Sequence, residues 1–302
     1  MKKKILIIGF GSIGKKHAKL LKNFKNISEI YILTKQSCGN FKKIKHISEV
    51  NIINPDYVVI CSRTSEHYKY LSYLEKNIKN KIILVEKPLF KDTKKLKIKK
   101  NKVIVGYNLR YHPIIKFIKK YINNKKVFSV NIICHSYLPN WRKNINYAKS
   151  NSAKQIYGGG ALLELSHEID YLQWIFKKIK KINYAEIGKI SNLKIDTEDS
   201  VIIMGKTYLA NFSIDLNFFS QSAQRSILIN GNNFTLKADL INNSIEIFKM
   251  KRKKSIKFNI DNNYSYKEQH KSILSNNYKN SCSYNEGLKL MLLFNKIKNF
   301  KK

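Results

Sequence analysis

The sequence predicts a mixed fold, α/β plus α+β. An N-terminal Rossmann domain with a doubly wound parallel sheet precedes a C-terminal domain with a largely antiparallel, open-faced sheet. Five short apolar segments alternate with helical segments over residues 1–122, as parallel strands with helical crossovers do. Between residues 182 and 260, strand-like segments follow one another without helices, which favours antiparallel pairing. We therefore expect domains at 1–122 and 123–302, with the last helix as a candidate to pack back on the first domain.

The first predicted strand, Ile5–Ile8, runs directly into a glycine-rich turn, GFGSIG. Its three glycines have the spacing of a dinucleotide-binding turn: the first permits the bend, the second lets the backbone approach a pyrophosphate, and the third lets the next helix, Ser12–Leu21, pack closely. The pyrophosphate is expected on the free N–H groups of that helix. The alternative is a glycine-rich turn in another kind of α/β protein. The candidate cofactor-binding residues of this turn are Gly9, Phe10, Gly11, Ser12, Ile13 and Gly14.

The end of the second predicted strand, Glu29–Leu33, indicates which dinucleotide is bound. An acidic residue at this position holds the ribose hydroxyls of NAD, but this chain has Thr34, Lys35 and Gln36. A hydroxyl and an ammonium group suit a 2′-phosphate better, so we expect NADP or NAD, with NADP favoured and with Thr34 and Lys35 as the contacts. The alternative is that Lys35 is one of many surface lysines.

The third predicted strand, Tyr57–Cys61, ends in a polar tip at the sheet edge where doubly wound folds bind ligands. Ser62, Arg63 and Thr64 are therefore candidate cofactor-binding residues. A helix is predicted from Ser65, with that serine as its N-cap. His67, in its first turn, is also a candidate cofactor-binding residue, although a lone imidazole without a titrating partner in the sequence favours packing or capping.

The fourth predicted strand, Lys81–Val85, delivers Glu86-Lys87-Pro88 to the same edge. Proline restricts Lys87 to extended geometry, and a cis bond before Pro88 would aim its side chain sharply. The fifth strand, Lys102–Gly106, leads to the segment Tyr107–Pro113 and a helix to about Ile122. These five strands complete the doubly wound unit.

Beyond residue 122 the pattern changes. A strand, Val127–Cys134, precedes a long polar stretch containing Trp141 and Arg142, three glycines at 158–160 and an apolar helix, Ala161–Phe176. Two closing helices are predicted near Tyr266–Tyr278 and Glu286–Ile297. The remaining predicted strands are Tyr184–Ile190, Ser200–Gly205, Tyr208–Leu216, Arg225–Asn230, Asn233–Ala238 and Ser244–Lys249.

Composition limits the classes of partner. The formal net charge of +38 would ordinarily indicate nucleic acid or an anionic membrane. Only five of the 58 basic residues are arginines, and the lysines are spread along the chain amid abundant Asn and Ile, so we interpret the charge as a chain-wide bias. The lysine clumps at 94–102 and 249–257 are interpreted as solvated faces. We expect no nucleic-acid partner and no membrane partner.

The N-terminal apolar run is broken by glycines and lacks a cleavage site, and no segment approaches the roughly 18 apolar residues of a membrane span. We therefore expect neither a signal peptide nor a span. The four cysteines show no paired spacing, which favours reduced thiols, a cytoplasmic location and no metal site.

Four segments together resemble the Gfo/Idh/MocA family of NAD(P)-dependent sugar and polyol oxidoreductases: GFGSIG, Glu86-Lys87-Pro88, RYHP at Arg110–Pro113, and GGGALLELSHEIDYL at Gly158–Leu172. The resemblance covers essentially the whole chain. LSHEIDYL and the loop LPNWRKNINY at Leu138–Tyr147 look most like the branch found with bacterial surface-sugar biosynthesis.

The resemblance implies that Lys87 contacts the reacting hydroxyl and that His167 is the acid or base, which agrees with the need for a base at the hydroxyl and a nicotinamide at the carbon. Glu86 would anchor the turn or the cofactor. The family has an aspartate four residues before the histidine, whereas here Glu164 precedes His167 by three, still on one helical face. Glu164 is therefore a candidate to tune the imidazole or a structural residue. For His167 the alternative is a hydrogen-bonded core imidazole.

The candidate substrate-binding residues are Arg110, Trp141, Arg142 and Asp170. Asp170 matches the acid that follows the histidine in the family, and would hold His167 or cap a domain contact. Because arginine is scarce, Arg142 is expected to supply a planar fork for a carboxylate or phosphate of the substrate. A proline common in the family is missing from Ile60–Thr64, where Arg63 stands, so the ribose and nicotinamide contacts there stay open.

The expected activity is hydride transfer between a nicotinamide and a sugar, sugar nucleotide or polyol. A non-catalytic dinucleotide sensor of the same fold is the alternative. We expect a homodimer or homotetramer formed through the C-terminal sheet.

Overall fold

A computed structural model describes residues 2–142 and 145–300, and it divides the chain into two compact units. The first holds the chain up to Asn108 together with Tyr266–Leu292, and the second holds Leu109–Ser265 and the residues from Leu293 onward. The division after Asn108 differs from the predicted boundary at 122. The helix Pro113–Tyr121 packs within the second unit, while the short strand Cys282–Ser283 pairs with the first sheet.

The sheet of the first unit has seven strands in the order β15-β6-β5-β4-β1-β2-β3. All pairs are parallel except β15 with β6, so the Rossmann order 3-2-1-4-5-6 is complete and carries one antiparallel edge strand. The prediction of a doubly wound parallel sheet is confirmed. The strands are β1 (Lys3–Ile8), β2 (Ile27–Leu33), β3 (Lys42–Ile44), β4 (Tyr57–Ile60), β5 (Ile82–Val85), β6 (Lys102–Val105) and β15 (Cys282–Ser283).

The buried strands of this sheet form its core with apolar residues of the flanking helices. Ile5, Ile7 and Ile32 on the strands belong to one apolar cluster with Leu21 and Ile273 on helices, and all five are inaccessible to solvent. The first helix begins and ends where the sequence predicts. The helices that contribute to this unit are α1 (Ser12–Leu21), α2 (Val50–Ile53), α3 (His67–Asn77), α7 (Tyr264–Leu274) and α8 (Tyr284–Lys298), and the last two cross the division between the units.

The sheet of the second unit has eight strands in the order β14-β13-β12-β11-β7-β10-β9-β8. Only β7 and β10 pair in parallel, and the other six pairs are antiparallel, so the predicted largely antiparallel sheet is confirmed. The strands are β7 (Val127–Tyr137), β8 (Ile179–Gly188), β9 (Ser200–Thr207), β10 (Asn211–Asn217), β11 (Phe219–Gly231), β12 (Phe234–Asp239), β13 (Ser244–Lys249) and β14 (Arg252–Lys257).

One face of this sheet is buried beneath helices. Along β10, Phe212, Ile214 and Leu216 alternate with partly exposed or exposed residues, as a half-buried strand requires. The helices α5 and α6 contact this sheet and α4 packs on α6. The three helices are α4 (Pro113–Tyr121), α5 (Ala161–Glu164) and α6 (His167–Phe176).

The edge strand β14 was not predicted from the sequence, which reads RKKSIK there and was interpreted as a solvated face. Five of its six residues are exposed, but its backbone pairs with β13 over six residues. A charged edge strand of this kind resists further pairing with other chains. The interpretation of these lysines as solvated is correct, but the sequence does not predict the backbone hydrogen bonds to β13 that make this segment a strand. Within the described residues, no helix has the length and apolar character that crossing a membrane requires.

Candidate active site

Most of the candidate cofactor residues lie together because four parallel strands end in register. Ile8 at the end of β1 pairs with Leu33 of β2 and Ile60 of β4, and Ile60 pairs with Val85 of β5. The residues that follow these four ends are therefore neighbours along one edge of the first sheet. This edge carries the turn Gly9–Gly14, Thr34 and Lys35, the segment 62–64, and the pair Glu86 and Lys87.

The glycine turn leaves no room for a side chain at two positions and leaves space at the third. Gly9 has a φ of +95°, and a Cβ there would lie 2.7 Å from the Ser62 backbone. A Cβ at Gly14 would lie 2.2 Å from the Gly9 carbonyl oxygen, which shows how closely α1 packs on the turn. No atom lies within 4 Å of a Cβ at Gly11. A pyrophosphate fits that open position, next to the free N–H groups of α1.

The end of β2 presents polar groups and no carboxylate. Thr34 is half-buried, and its hydroxyl oxygen accepts the backbone N–H of Gln36 at 3.1 Å. Lys35 is exposed, and its carbonyl oxygen accepts the ammonium of Lys43. The Lys35 side chain is accordingly available to solvent, as a phosphate contact requires, but the same exposure is typical of a surface lysine.

The segment after β4 differs from the prediction in its helix start. Thr64–Glu66 form a 3₁₀ turn, and α3 begins only at His67, with Glu66 as its N-cap and no side-chain cap. The prediction that Ser65 is the N-cap of this helix is wrong, because the tighter 3₁₀ turn places Ser65 before the first α-helical residue. Arg63 is exposed, and the Ser62 hydroxyl lies 3.4 Å from the Arg63 carbonyl oxygen.

His67 connects two of the strand ends. It is 1 % exposed, its Nδ1 lies 3.1 Å from the Pro88 carbonyl oxygen, and its Nε2 lies 3.3 Å from the Ser62 carbonyl oxygen. Burial lowers the pKa of His67 despite these carbonyl contacts, so the imidazole is neutral near pH 7. These contacts favour the packing alternative over direct contact with a cofactor.

The Glu86-Lys87-Pro88 turn follows β5 and contains a cis Lys87–Pro88 peptide bond. Glu86 is 7 % exposed. One of its carboxylate oxygens accepts the Lys87 backbone N–H at 3.2 Å, and the other lies 3.0 Å from His17 Nε2. Lys87 is half-buried. The turn thus presents an ammonium group at the sheet edge beside an anchored carboxylate.

In the second unit, the predicted continuous helix Ala161–Phe176 is broken in front of His167. α5 ends at Glu164 and α6 begins at His167, with Leu165 outside helical geometry. The Ser166 hydroxyl donates to the Leu163 carbonyl oxygen at 2.8 Å, a contact that commonly bends helices. The expectation that Glu164 and His167 share one face of a continuous helix is therefore wrong. His167 is the first residue of α6 and is 9 % exposed.

Glu164 faces the loop that precedes it. Its carboxylate accepts the Ser152 hydroxyl at 2.8 Å. Ser152 also lines a small cavity together with Trp141 and Arg142. Trp141 donates to the Ser136 hydroxyl at 3.1 Å and meets the Phe218 ring edge to face, with centroids 5.1 Å apart.

Trp141, Arg142 and Glu164 are therefore connected through one loop. Lys143 and Asn144 of the predicted loop lie outside the described residues.

Two other candidate substrate residues bind each other. Arg110 donates from Nε and Nη2 to the two carboxylate oxygens of Asp170 at 2.9 and 2.6 Å, and both side chains are almost fully buried. The Arg110 guanidinium also lies 5.8 Å from the Trp174 ring centroid. The structure brings Asp170 against Arg110, so the pair fixes the first turn of α6.

A second buried pair, which sequence reasoning missed, anchors the same helical turn. Arg225 on β11 donates to Glu168 at 2.7 Å, and Glu168 is inaccessible to solvent. Although burial opposes its charge, the attraction of Glu168 raises the pKa of Arg225. Two of the chain's five arginines thus bind acids on either side of Ile169, and the scarcity of arginine could have pointed to Arg225 as it did to Arg142.

The RYHP segment starts α4. His112 is the N-cap, and its Nδ1 accepts the backbone N–H of Ile114 at 3.3 Å, with Pro113 in the first turn. Burial lowers the pKa of His112 to about 4. A protonated imidazole cannot accept, so the low pKa and the capping role agree.

The first unit has an open glycine turn suited to a dinucleotide at a sheet edge that also carries Lys87, and the second unit has a buried imidazole, His167, at a helix start. The described residues contain no group of three or more His, Cys, Asp or Glu side chains placed for a metal.

Comparison with protein families matches the part of the first unit that contains the glycine turn and Lys87. Residues 3–108 match the family model of an oxidoreductase family with an NAD-binding Rossmann fold, Gfo/Idh/MocA. The matched range contains the glycine turn and Glu86-Lys87-Pro88. No curated protein matches the sequence.

Solved structures of similar fold cover nearly the whole chain. The dehydrogenase WlbA from Bordetella pertussis, in complex with NADH and UDP-GlcNAcA, is 17 % identical with a TM-score of 0.77, over 99 % of this chain and 96 % of that one. Levoglucosan dehydrogenase with NADH is 16 % identical with a TM-score of 0.84, over the same shares. UDP-N-acetylglucosamine 3-dehydrogenase GnnA from Acidithiobacillus ferrooxidans is 12 % identical with a TM-score of 0.76, over 98 % and 97 %. At these identities the likeness establishes the fold.

The glycine turn yields a matched pair of variants. Gly14→Ala forces a Cβ against the Gly9 carbonyl, so we expect the free energy of unfolding to fall by about 1–3 kcal/mol. Gly11→Ala meets open space and is expected to change stability by less than about 1 kcal/mol. It should nevertheless weaken dinucleotide binding about tenfold, because the methyl group occupies the pyrophosphate position. Urea denaturation and calorimetric titration measure the two effects. Unchanged dinucleotide affinity in Gly11→Ala would contradict the site.

Proposed function

Taking residues 3–108 as the NAD-binding Rossmann domain of a Gfo/Idh/MocA oxidoreductase, we propose that the chain is an NAD(P)-dependent dehydrogenase or reductase. Its substrate carbon is the CH–OH or keto carbon of a sugar, sugar nucleotide or polyol. The observation that carries the proposal is the shared sheet edge of the glycine turn and Lys87, inside the matched domain. The alternative, a non-catalytic dinucleotide sensor, is disfavoured because both Lys87 and His167 are present.

The proposed reaction transfers a hydride at the substrate carbon and a proton at the substrate oxygen. A nicotinamide dinucleotide held at this edge by the glycine turn would supply the hydride chemistry at the substrate carbon. The Lys87 ammonium hydrogen-bonds to the substrate oxygen and stabilises the negative charge that develops there as the C–H bond breaks. His167 takes the hydroxyl proton in oxidation and returns it in reduction.

The surroundings of His167 support its role as the acid or base. Asp170 and Glu168, on the same helical turn, are each held by a buried arginine. These two charge-assisted contacts fix the start of α6 and with it the backbone of His167. A precisely held imidazole is what proton transfer to one oxygen requires.

The substrate class is proposed from charge and from relatives. Arg142 lines a cavity with Trp141 and supplies a planar fork for a carboxylate or phosphate. WlbA is described with the nucleotide sugar acid UDP-GlcNAcA, which carries both groups. An anionic sugar nucleotide used in surface-sugar biosynthesis is therefore the favoured substrate.

The cellular setting and assembly are further parts of the proposal. All four cysteines are buried and in the reduced thiol form, which suits a reducing cytoplasm. The second sheet leaves one face half-exposed, with Met204 on β9 47 % exposed, and this face supports the proposed homodimer or homotetramer.

Variants of the two reacting groups test the proposed activity. Lys87→Ala and His167→Ala should each lower kcat by about 10²–10⁴-fold, because each removes a group that acts on the substrate oxygen. Both should keep the dinucleotide affinity of the parent within about threefold, since the glycine turn is intact. Absorbance of the reduced nicotinamide reports turnover, and Lys91→Ala is a control outside the motif. A parent that binds dinucleotide but turns over no sugar, sugar nucleotide or polyol would favour the sensor.

Cofactor preference is tested at Lys35. With an ammonium beside the ribose, we propose that NADPH binds more tightly than NADH. Lys35→Asp should reverse the ratio of dissociation constants by about 10–100-fold, the value of one charge-assisted hydrogen bond. Lys25→Asp, at another exposed lysine of the same unit, makes the same change in net charge and should leave the ratio unchanged. Equal changes in the ratio of dissociation constants in the two variants would show that Lys35 is a surface lysine without a role in cofactor preference.

Substrate charge is tested at Arg142. Arg142→Lys keeps the positive charge but loses the fork, so KM for an anionic sugar nucleotide should rise about 3–10-fold while kcat is unchanged. KM for a neutral polyol should not change. Arg252→Lys, on the exposed edge strand β14, is the matched control. An unchanged KM in Arg142→Lys for every anionic substrate removes this role.

A further inference from the structure

A continuous chain of hydrogen bonds runs through the interior of the first unit to Glu86. The Tyr57 hydroxyl lies 3.0 Å from His270 Nδ1, His270 Nε2 lies 2.8 Å from His17 Nδ1, and His17 Nε2 lies 3.0 Å from a Glu86 carboxylate oxygen. Tyr57, His270 and His17 are inaccessible to solvent. The chain joins β4, α7 and α1 to the turn after β5.

The proton positions in this chain follow from its last member. A carboxylate only accepts, so His17 donates from Nε2 and, when neutral, must accept at Nδ1. His270 then donates from Nε2 to His17 and accepts at Nδ1 from the Tyr57 hydroxyl. Burial lowers the pKa of His270 well below its ordinary value, which agrees with a neutral ring. Each donor that points along the chain is then matched with one acceptor, in one direction.

The chain crosses the sheet from one end to the other. Tyr57 is the first residue of β4 and pairs with Ile82, whereas Glu86 lies four residues beyond Ile82 along β5. Four residues of a parallel strand span about 13 Å. Two imidazoles bridge this span along the face of the sheet that α1 and α7 contact. The polar chain is therefore long-range and is not a local turn.

Apolar residues in place of His17 and His270 would have been sufficient for stability. The neighbours of these histidines on α1 and α7 are Leu21 and Ile273, which pack in the core of the same sheet. A buried polar network costs desolvation and gains little over well-packed apolar residues unless every member is satisfied. Here the chain of hydrogen bonds ends on Glu86, the residue before Lys87.

Resting on the proposed function, we propose that His17 and His270 are positioning residues that hold the Glu86 carboxylate and, through it, Lys87. The second Glu86 oxygen accepts the Lys87 backbone N–H, so the carboxylate connects the histidines to the chain at Lys87. Gly106 supports the same geometry, since a Cβ there would lie 2.9 Å from the Glu86 carboxylate. Neither histidine touches the reacting atoms in this role.

Other titratable groups around Glu86 respond to its charge. From the end of β4, the buried Cys61 thiol has its pKa raised well above the ordinary value, by burial first and by Glu86 second. From α3, His67 is attracted to Glu86, although burial dominates and lowers the pKa of His67. His17 on α1 and His270 on α7 complete the set in direct or relayed contact. Of these, only His17 is hydrogen-bonded to the Glu86 carboxylate.

The first test reads the imidazole tautomers in the parent protein. Histidine labelled with ¹⁵N, observed by two-bond proton–nitrogen correlation and assigned with His17→Asn and His270→Asn, distinguishes Nε2–H from Nδ1–H. We expect the Nε2–H tautomer at His270 and a proton on Nε2 of His17, with His270 staying neutral at pH values below its ordinary pKa. An Nδ1–H tautomer at either ring, or titration of His270 near its ordinary pKa, would overturn the chain whatever the activity of the protein.

The second test uses two amides of different length at His17. His17→Gln places an amide N–H near the former Nε2 and keeps the donor to Glu86, whereas His17→Asn places an oxygen near the former Nδ1 and loses that donor. We expect His17→Asn to lower kcat about 10–100-fold with KM unchanged, and His17→Gln to stay within about threefold of the parent.

The contrast between the two variants separates positioning from a structural role. A structural role would lower kcat and the free energy of unfolding alike in both variants, whereas positioning lowers kcat only where the donor to Glu86 is lost. Equal loss of kcat in both variants overturns the inference alone. A parent without turnover overturns the proposed function, and the tautomer measurement still decides whether the chain exists.

Discussion

The alignment of four strand ends at one edge of the first sheet is the constraint on which the proposed chemistry depends. Parallel pairing in register places the residues after β1, β2, β4 and β5 side by side, although they are up to 77 residues apart in sequence, from Gly9 to Glu86. The close approach of Gly14 to the Gly9 carbonyl brings α1 to the same edge. A helix end with free N–H groups and the ammonium group of Lys87 therefore lie at the same sheet edge.

Two sets of buried polar contacts lie beside the residues with a proposed role in the reaction. In the second unit, two arginines bind acids on the first turn of α6, directly after His167. In the first unit, the histidine chain ends on Glu86, directly before Lys87. Because unpaired buried charge is costly, these contacts define one geometry for each backbone segment. Buried polar contacts thus hold the backbone beside each of the two proposed reacting side chains. Arginine–carboxylate pairs do so after His167, and a chain of histidines does so before Lys87.

The sequence predicts most of the fold because the periodic signals are strong and local. The bounds of α1 and β13 agree with the prediction to the residue. The edge strand β14 was missed because its stability comes from pairing with β13, and its own side chains are charged. The break before His167 was missed because it depends on the Ser166 hydroxyl bonding to the backbone, which competes with a helix that the apolar pattern favours.

The candidate site was predictable where motifs are contiguous and not where partners are distant. The glycine turn and Glu86-Lys87 could be found from local spacing, whereas His17 and His270 are 253 positions apart and no pattern links them. The partnership of Arg110 with Asp170 likewise turns two expected substrate contacts into a buried pair. The structure adds these long-range contacts to the local motifs.

The most direct measurement is the fate of an isotope. Reduced dinucleotide carrying deuterium at the transferring carbon of the nicotinamide is incubated with the purified protein and a panel of keto forms of sugars, nucleotide sugars and polyols, and the products are analysed by mass spectrometry. The proposed activity predicts one deuterium on the newly formed CH–OH carbon of at least one product. Tight binding of the dinucleotide, with no deuterium transferred to any member of the panel, would contradict it.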